Sequence, residues 1–104
     1  MKKVCVFAGS SSGNNQNYKK LSRKLGSIIA NNNGHLFYGG GNSGLMGEVA
    51  DGCLENNGEV TGVIPRFLCD MQADHKGLTN IIVTDTMHER KSIMYKDTSI
   101  FFAL

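Results

Sequence analysis

Three stretches of this sequence carry residues of the type and spacing that ligand chemistry uses. The first is "YGGGNSGLMGEVADG", residues 38–52, which packs six glycines into fifteen positions. Glycine is disfavoured in a regular element by roughly 0.5–1 kcal/mol relative to alanine, so such a cluster asks for something that must approach the main chain closely. Within it, Gly39-x-Gly41-x-x-Gly44 satisfies G-x-G-x-x-G between a predicted strand and a predicted helix. Exposed N–H groups at Gly40, Gly41 and Gly44, next to a helix N-terminus, would accept an anion, most simply a phosphate. The alternative is that these glycines serve a tight turn and close helix-to-strand packing.

The second stretch is "GSSSGNN", in which Ser10, Ser11 and Ser12 offer hydroxyls for a ribose or phosphate, or act simply as helix caps. The third is "MHERK", residues 87–91. Two cations in the first turn of a predicted helix sit badly against the positive end of the helix dipole. Arg90 brings a planar fork suited to bidentate anion recognition and Lys91 a mobile point charge. A solvated charged face with Glu89 pairing locally is the competing explanation. His88 is either a titrating group or structural. Met87, Ile93 and Met94 are expected to pack beneath this helix, and His35 and His75 have no metal-ligand spacing that joins them.

Several ligand classes are excluded. A dinucleotide site wants an acidic residue about 20 positions beyond the glycine motif, where the chain reads "GVIPRF". The absence of G-x-x-x-x-G-K-[ST] removes a P-loop. With 11 Lys+Arg against 9 Asp+Glu, the net charge of +2 is too balanced to imply nucleic acid. Cys5, Cys53 and Cys69 are odd in number and widely spaced, which argues against a disulfide framework and a zinc site and fits a reducing cytoplasm. The apolar run after Lys2 and Lys3 is too short for a signal peptide, and no stretch approaches a membrane span.

The elements that must position these residues alternate. "VCVFAG" (4–9), "HLFYGG" (35–40), "EVTGVIP" (59–65), "NIIVTDT" (80–86) and "SIFFAL" (99–104) read as short buried strands. Helical periodicity runs from residue 15 to an Asn run with Gly34 as C-cap, over 44–58 with Asn57 and Gly58 closing it, and over 87–98. Residues 66–80 read as a loop with a short helical turn. This order predicts an α/β fold: a Rossmann-like three-layer parallel sheet with helices on both faces, truncated after the fifth strand. The fifth strand is apolar and is expected to present a sticky edge.

Together, "FAGSSSG", "YGGGNSGLMGEVADG", "GVIPRFL", "HKGLT" and "MHERKSIMYKDTSIFFAL" resemble the Lonely guy (LOG) family, once called lysine decarboxylase-like. The resemblance runs along the whole chain and implies that residues 1–104 are the N-terminal part of a single Rossmann-like LOG-type domain. It implies a cytoplasmic homodimer, with no cofactor and no metal, that hydrolyses nucleoside 5'-monophosphates such as cytokinin riboside monophosphates or AMP. The products would be free base and ribose 5-phosphate. Arg90 and Lys91 match the active-site pair of the family's M-x-x-R-K stretch, with Arg90 positioning phosphate or substrate rather than donating a proton. An acidic substrate-binding residue after strand three is replaced by Gln72. The family's P-G-G-x-G-T-x-x-E motif, which carries a catalytic glutamate, does not occur in residues 1–104, so the chain alone is expected to be inactive or impaired. The alternative from another class is a non-catalytic nucleotide or molybdenum-cofactor carrier of the same fold.

Overall fold

The computed structural model describes residues 2–7, 16–40, 44–69 and 77–103. Its elements alternate as the periodicity requires: β1 Lys2–Phe7, α1 Gln16–Asn31, β2 Gly34–Tyr38, α2 Gly44–Glu55, β3 Glu59–Pro65, α3 Arg66–Cys69, β4 Asn80–Thr84, α4 Met87–Tyr95 and β5 Ile100–Ala103. The five strands pair in parallel in the order β4-β3-β2-β1-β5. The chain therefore moves one way across the sheet from β1 to β4, then returns to the far side of β1. Right-handed crossovers put α1 and α2 on one face and, after the reversal, α4 on the other.

Alternation along the strands divides the core accordingly. Val4, Val6, Leu36, Tyr38 and Val60 pack under α1 and α2 with Ile29, Val49 and Cys53. Cys5 and Val63 face the other way, against Met94 of α4, with Phe7, Phe37 and Ile93 around them. Met87, expected beneath this helix, is instead 46% exposed, because it opens the helix at the rim rather than lying over the sheet.

The α1–α2 crossing depends on two glycines. A Cβ on Gly26 would overlap the carbonyl oxygen of Val49, and one on Gly52 would overlap that of Arg23. The backbones thus touch, and Arg23 secures the contact with Glu48 at 2.9 Å, Asp51 at 3.9 Å, and Glu55. Gly52 is consequently a packing residue, not a ligand residue, within the glycine-rich stretch.

Helix ends use asparagine and aspartate where left-handed backbone is needed. Asn33, Asn57 and Asp97 have φ of 59°, 60° and 59°. At the end of α2 the Gly58 N–H bonds the Cys53 carbonyl at 2.9 Å and the Asn57 N–H bonds that of Leu54 at 3.1 Å, a Schellman arrangement. At the end of α1 it is Asn33, and not Gly34, that takes the cap conformation; Gly34 begins β2 and packs against Ile29, where a Cβ would meet Cγ2 at 2.8 Å. β5 also departs from expectation, since all four of its residues are exposed. Among the described residues only β1 borders it, and Phe101 finds company in Phe7 and Tyr95, at centroid distances of 6.1 and 5.4 Å.

His35, unassigned from sequence, sits on the α4 side of β2. Its Nε2 lies 2.6 Å from the Thr61 hydroxyl, and its Nδ1 lies 3.4 Å from a Glu59 oxygen. Hydroxyl, imidazole and carboxylate stand in the order of a hydrolytic triad, but Thr61 is 2% exposed and no substrate can reach it. The cluster is therefore structural. Burial pushes the His35 imidazole below its ordinary value, Lys3 adds to this, and Glu59 opposes it.

Two predictions follow from this packing. A depressed histidine means that below about pH 6.5 the unfolded chain binds a proton that the folded chain refuses, so stability falls as pH falls. Urea midpoints at pH 7.5 and 5.5 should drop for the wild type, and by less for H35Q; equal drops would remove His35 from the account. Independently, G52A should destabilise the fold by about 1–3 kcal/mol through overpacking, although alanine favours an isolated helix by up to about 1 kcal/mol. Thermal melts give the sign directly.

Candidate functional site

In a parallel sheet every strand's C-terminal end lies on the same rim, where open α/β folds bind ligands. Here that rim carries the ends of β2, β3 and β4 and the starts of α2 and α4. The ladder between β2 and β3 stops with the pair Tyr38 and Gly62. One step further, Gly39 and Val63 are no longer paired in that register.

Arg90 touches both residues of this first open step. Its Nε donates to the Val63 carbonyl at 2.9 Å. Its Nη2 lies against Gly39, in the space that a Cβ there would occupy. The side chain is half-buried, and desolvation holds the guanidinium below the usual arginine value. No carboxylate pairs with it among the described residues. Asp85, which precedes the helix, is engaged by Arg66 at 2.9 Å.

α4 begins where a T-x-x-E capping signal says it should, a feature the sequence carries at Thr86 and Glu89. The Thr86 hydroxyl accepts from the Glu89 N–H at 3.0 Å, and Thr86 has extended backbone. That cap sets the helix phase and sends Arg90 toward the sheet. Lys91, one residue on and about 100° further round the helix, is exposed. The structure therefore does not bring Lys91 into contact with Gly39 or Val63 among the described residues. His88 is likewise exposed.

Gly40 follows Gly39 with φ of 84° and is buried. A Cβ there would lie 3.6 Å from the Gly62 Cα and 3.4 Å from Ile64, so the turn leaving β2 lies close over β3. Gly44 opens α2. Gly41, Ser10, Ser11 and Gln72 lie outside the described residues. Sequence reasoning singled out Arg90 and the glycines but missed the Val63 carbonyl. Side-chain chemistry gives no sign of a main-chain acceptor.

Neither described thiol offers a nucleophile here. Cys5 and Cys53 are buried and unpaired, and burial raises both, Cys53 to about 11. Among the described residues, no group of three or more His, Cys, Asp or Glu side chains is placed to hold a metal ion. None of the described helices is long and apolar enough to cross a membrane.

A parallel five-stranded sheet with helices on both faces, and a glycine turn and an arginine meeting on its C-terminal rim, defines an α/β protein of Rossmann-like type. Comparison with known proteins narrows the class: the SLOG cluster4 family profile matches residues 1–104, and the chain belongs to that family. It is 40% identical over 103 residues to a cytokinin riboside 5'-monophosphate phosphoribohydrolase of Arabidopsis thaliana, covering 99% of this chain and 45% of that protein. It is 40% identical over 104 residues to the enzyme of the same name from Rhodococcoides fascians, covering 99% and 52%. The resemblance to LOG proteins is thus borne out at the level of sequence. The chain spans about half the length of the curated relatives it matches. The molybdenum cofactor carrier protein of Chlamydomonas reinhardtii superposes with a TM-score of 0.82 at 24% identity, covering 98% of this chain and 61% of that one, a likeness of fold.

One polar atom near this rim lacks a partner among the described residues. The Thr84 hydroxyl, at the end of β4, is fully buried with no hydrogen-bond partner among them. An unmade buried hydrogen bond costs roughly 1–3 kcal/mol, and removing the polar atom without changing shape recovers it. T84V should therefore be neutral or stabilising in a urea melt. A loss above about 1 kcal/mol would instead show that the hydroxyl makes a bond.

Proposed function

We propose that this chain forms the sugar-phosphate-binding side of a LOG-type nucleoside 5'-monophosphate phosphoribohydrolase site. The observation that supports this reading is a half-buried guanidinium, without a carboxylate partner among the described residues, held against the glycine turn at the end of β2. Such a group binds an oxyanion bidentately. The residue types on the same rim fit a phosphate: N–H groups around Gly40, Gly41 and Gly44, hydroxyls of Ser10 and Ser11, and the ammonium of Lys91, with Gln72 toward the base or ribose.

In the proposed reaction the oxygen of water bonds to C1' of the ribose and the C1'–N bond to the base breaks. The base leaves with a proton, giving free adenine or cytokinin and ribose 5-phosphate. Positive charge develops on the sugar in the transition state, which calls for a carboxylate facing the ring. Arg90 supplies orientation by fixing the phosphate, so that binding energy far from the reacting carbon is used to place it. The family's catalytic glutamate belongs to a motif that residues 1–104 do not contain. In this reading residues 1–104 are the N-terminal part of one LOG-type domain, and the homodimer belongs to the full-length family.

Isothermal titration and chemical-shift mapping test the proposal. The chain should bind AMP and ribose 5-phosphate saturably and release no adenine. R90A should weaken both ligands by about tenfold or more, the scale of a charge-assisted hydrogen bond. Undiminished binding by R90A would refute the assignment. Adenine release would show that a carboxylate within the chain replaces the missing glutamate, and would exclude a carrier.

A further inference from the structure

We infer that Gly39 is the positioning residue for Arg90: its missing side chain is the seat of the guanidinium. The inference rests on the reading of Arg90 as the phosphate-binding group and adds what fixes that group in place.

Glycine at 39 is not required by its backbone. Gly40 has left-handed φ, at 84°, and Gly39 does not. Nor do the described residues of the fold's body require glycine at 39. Among their atoms that a Cβ at this position would meet, Arg90 Nη2 is the one it would overlap, while Met46 Cε and Arg90 Cζ lie at 3.6 and 3.7 Å, ordinary contact distances. Gly62 behaves differently, since its Cβ would crowd both the Leu78 side chain and the Gly40 main chain, the latter at 2.9 Å. The room at Gly39 is therefore reserved for the arginine head.

Geometry explains why that room matters. The Nε bond to Val63 fixes one edge of the guanidinium. The rest of the head lies over residue 39, where Nη2 occupies the space a Cβ would take, one step beyond the last β2–β3 pair, Tyr38 and Gly62. Arginine has five N–H donors, and one is used at Val63. The four on Nη1 and Nη2 have no hydrogen-bond partner among the described residues. A methyl group at 39 would break the Val63 bond or tilt the fork, and both outcomes misplace these donors for a phosphate.

The test is a double-mutant cycle on the 104-residue chain, comparing wild type, G39A, R90A and G39A/R90A. Nitrogen-15 spectra should show a solvent-protected Arg90 Nε–H in the wild type that loses protection in G39A. Ribose 5-phosphate should bind G39A roughly tenfold or more weakly than wild type, the scale of one charge-assisted hydrogen bond. In the R90A background the same glycine substitution should change binding by less than about twofold. A protected Nε–H in G39A, or an equal loss of affinity in both backgrounds, overturns the inference. If wild type fails to bind ribose 5-phosphate, the functional reading falls, while the Nε–H measurement still decides whether Gly39 seats Arg90. If G39A fails to fold, recovery of the wild-type circular dichroism spectrum in G39A/R90A supports the inference, and continued unfolding overturns it.

Discussion

The geometry of the rim depends on α4 being held at both ends. It is nine residues long, too short to be stable in isolation. At its N-terminal end Arg90 bonds Val63. At its C-terminal end the Lys3 ammonium donates to the carbonyls of Lys96, at 2.8 Å, and Ile93, and the Cys5 thiol donates to that of Met94. A cation among terminal carbonyls also complements the helix dipole. Between these points Met94 is buried against Cys5 and Val63. Three residues of β1 and β3 thereby set the tilt and rotation of the helix, and the reach of Arg90 follows.

That arrangement answers the charge conflict in "MHERK". A cation in the first turn is unfavourable when it stays there, but an arginine side chain is long enough to carry its charge elsewhere. Arg90 delivers its head to a carbonyl oxygen at the end of another strand, away from its own helix's N–H groups. One of those N–H groups, that of Glu89, is served by the hydroxyl of Thr86, the side-chain acceptor proper to an N-cap. Lys91, still exposed on the helix, retains the misfit the sequence suggested.

Much of the architecture was legible because periodicity and punctuation agree. Pro65 ends β3 and Asn57 closes α2, as the sequence suggests, since both act through local backbone preference. Gly34 was misread because glycine and asparagine both permit left-handed backbone: Asn33 takes the cap, and glycine at 34 leaves room for Ile29. Met87 was misread because apolar type does not distinguish a helix's rim from its underside. For the site, residue types pointed to Arg90 and to the glycines but not to their roles. Gly39, Gly40 and Gly52 serve respectively a side-chain seat, a backbone turn and a helix crossing, three causes that leave the same letter.

Two arginines in this chain differ in how the fold meets their charge. Arg23 is clasped by Glu48, Asp51 and Glu55, and these carboxylates raise its affinity for its proton; its charge is satisfied within the fold. For Arg90 the shift runs the other way, with burial as its cause and no carboxylate offsetting it among the described residues. A guanidinium stays charged regardless, because its ordinary value lies far above physiological pH. A half-buried positive charge that meets a carbonyl dipole and, among the described residues, no carboxylate is less stable than one beside an anion. The binding of a phosphate at Gly39 and Arg90 would remove that deficit. In the proposed function, an oxyanion is the complementary ligand because it would supply the negative charge that the described surroundings of Arg90 lack.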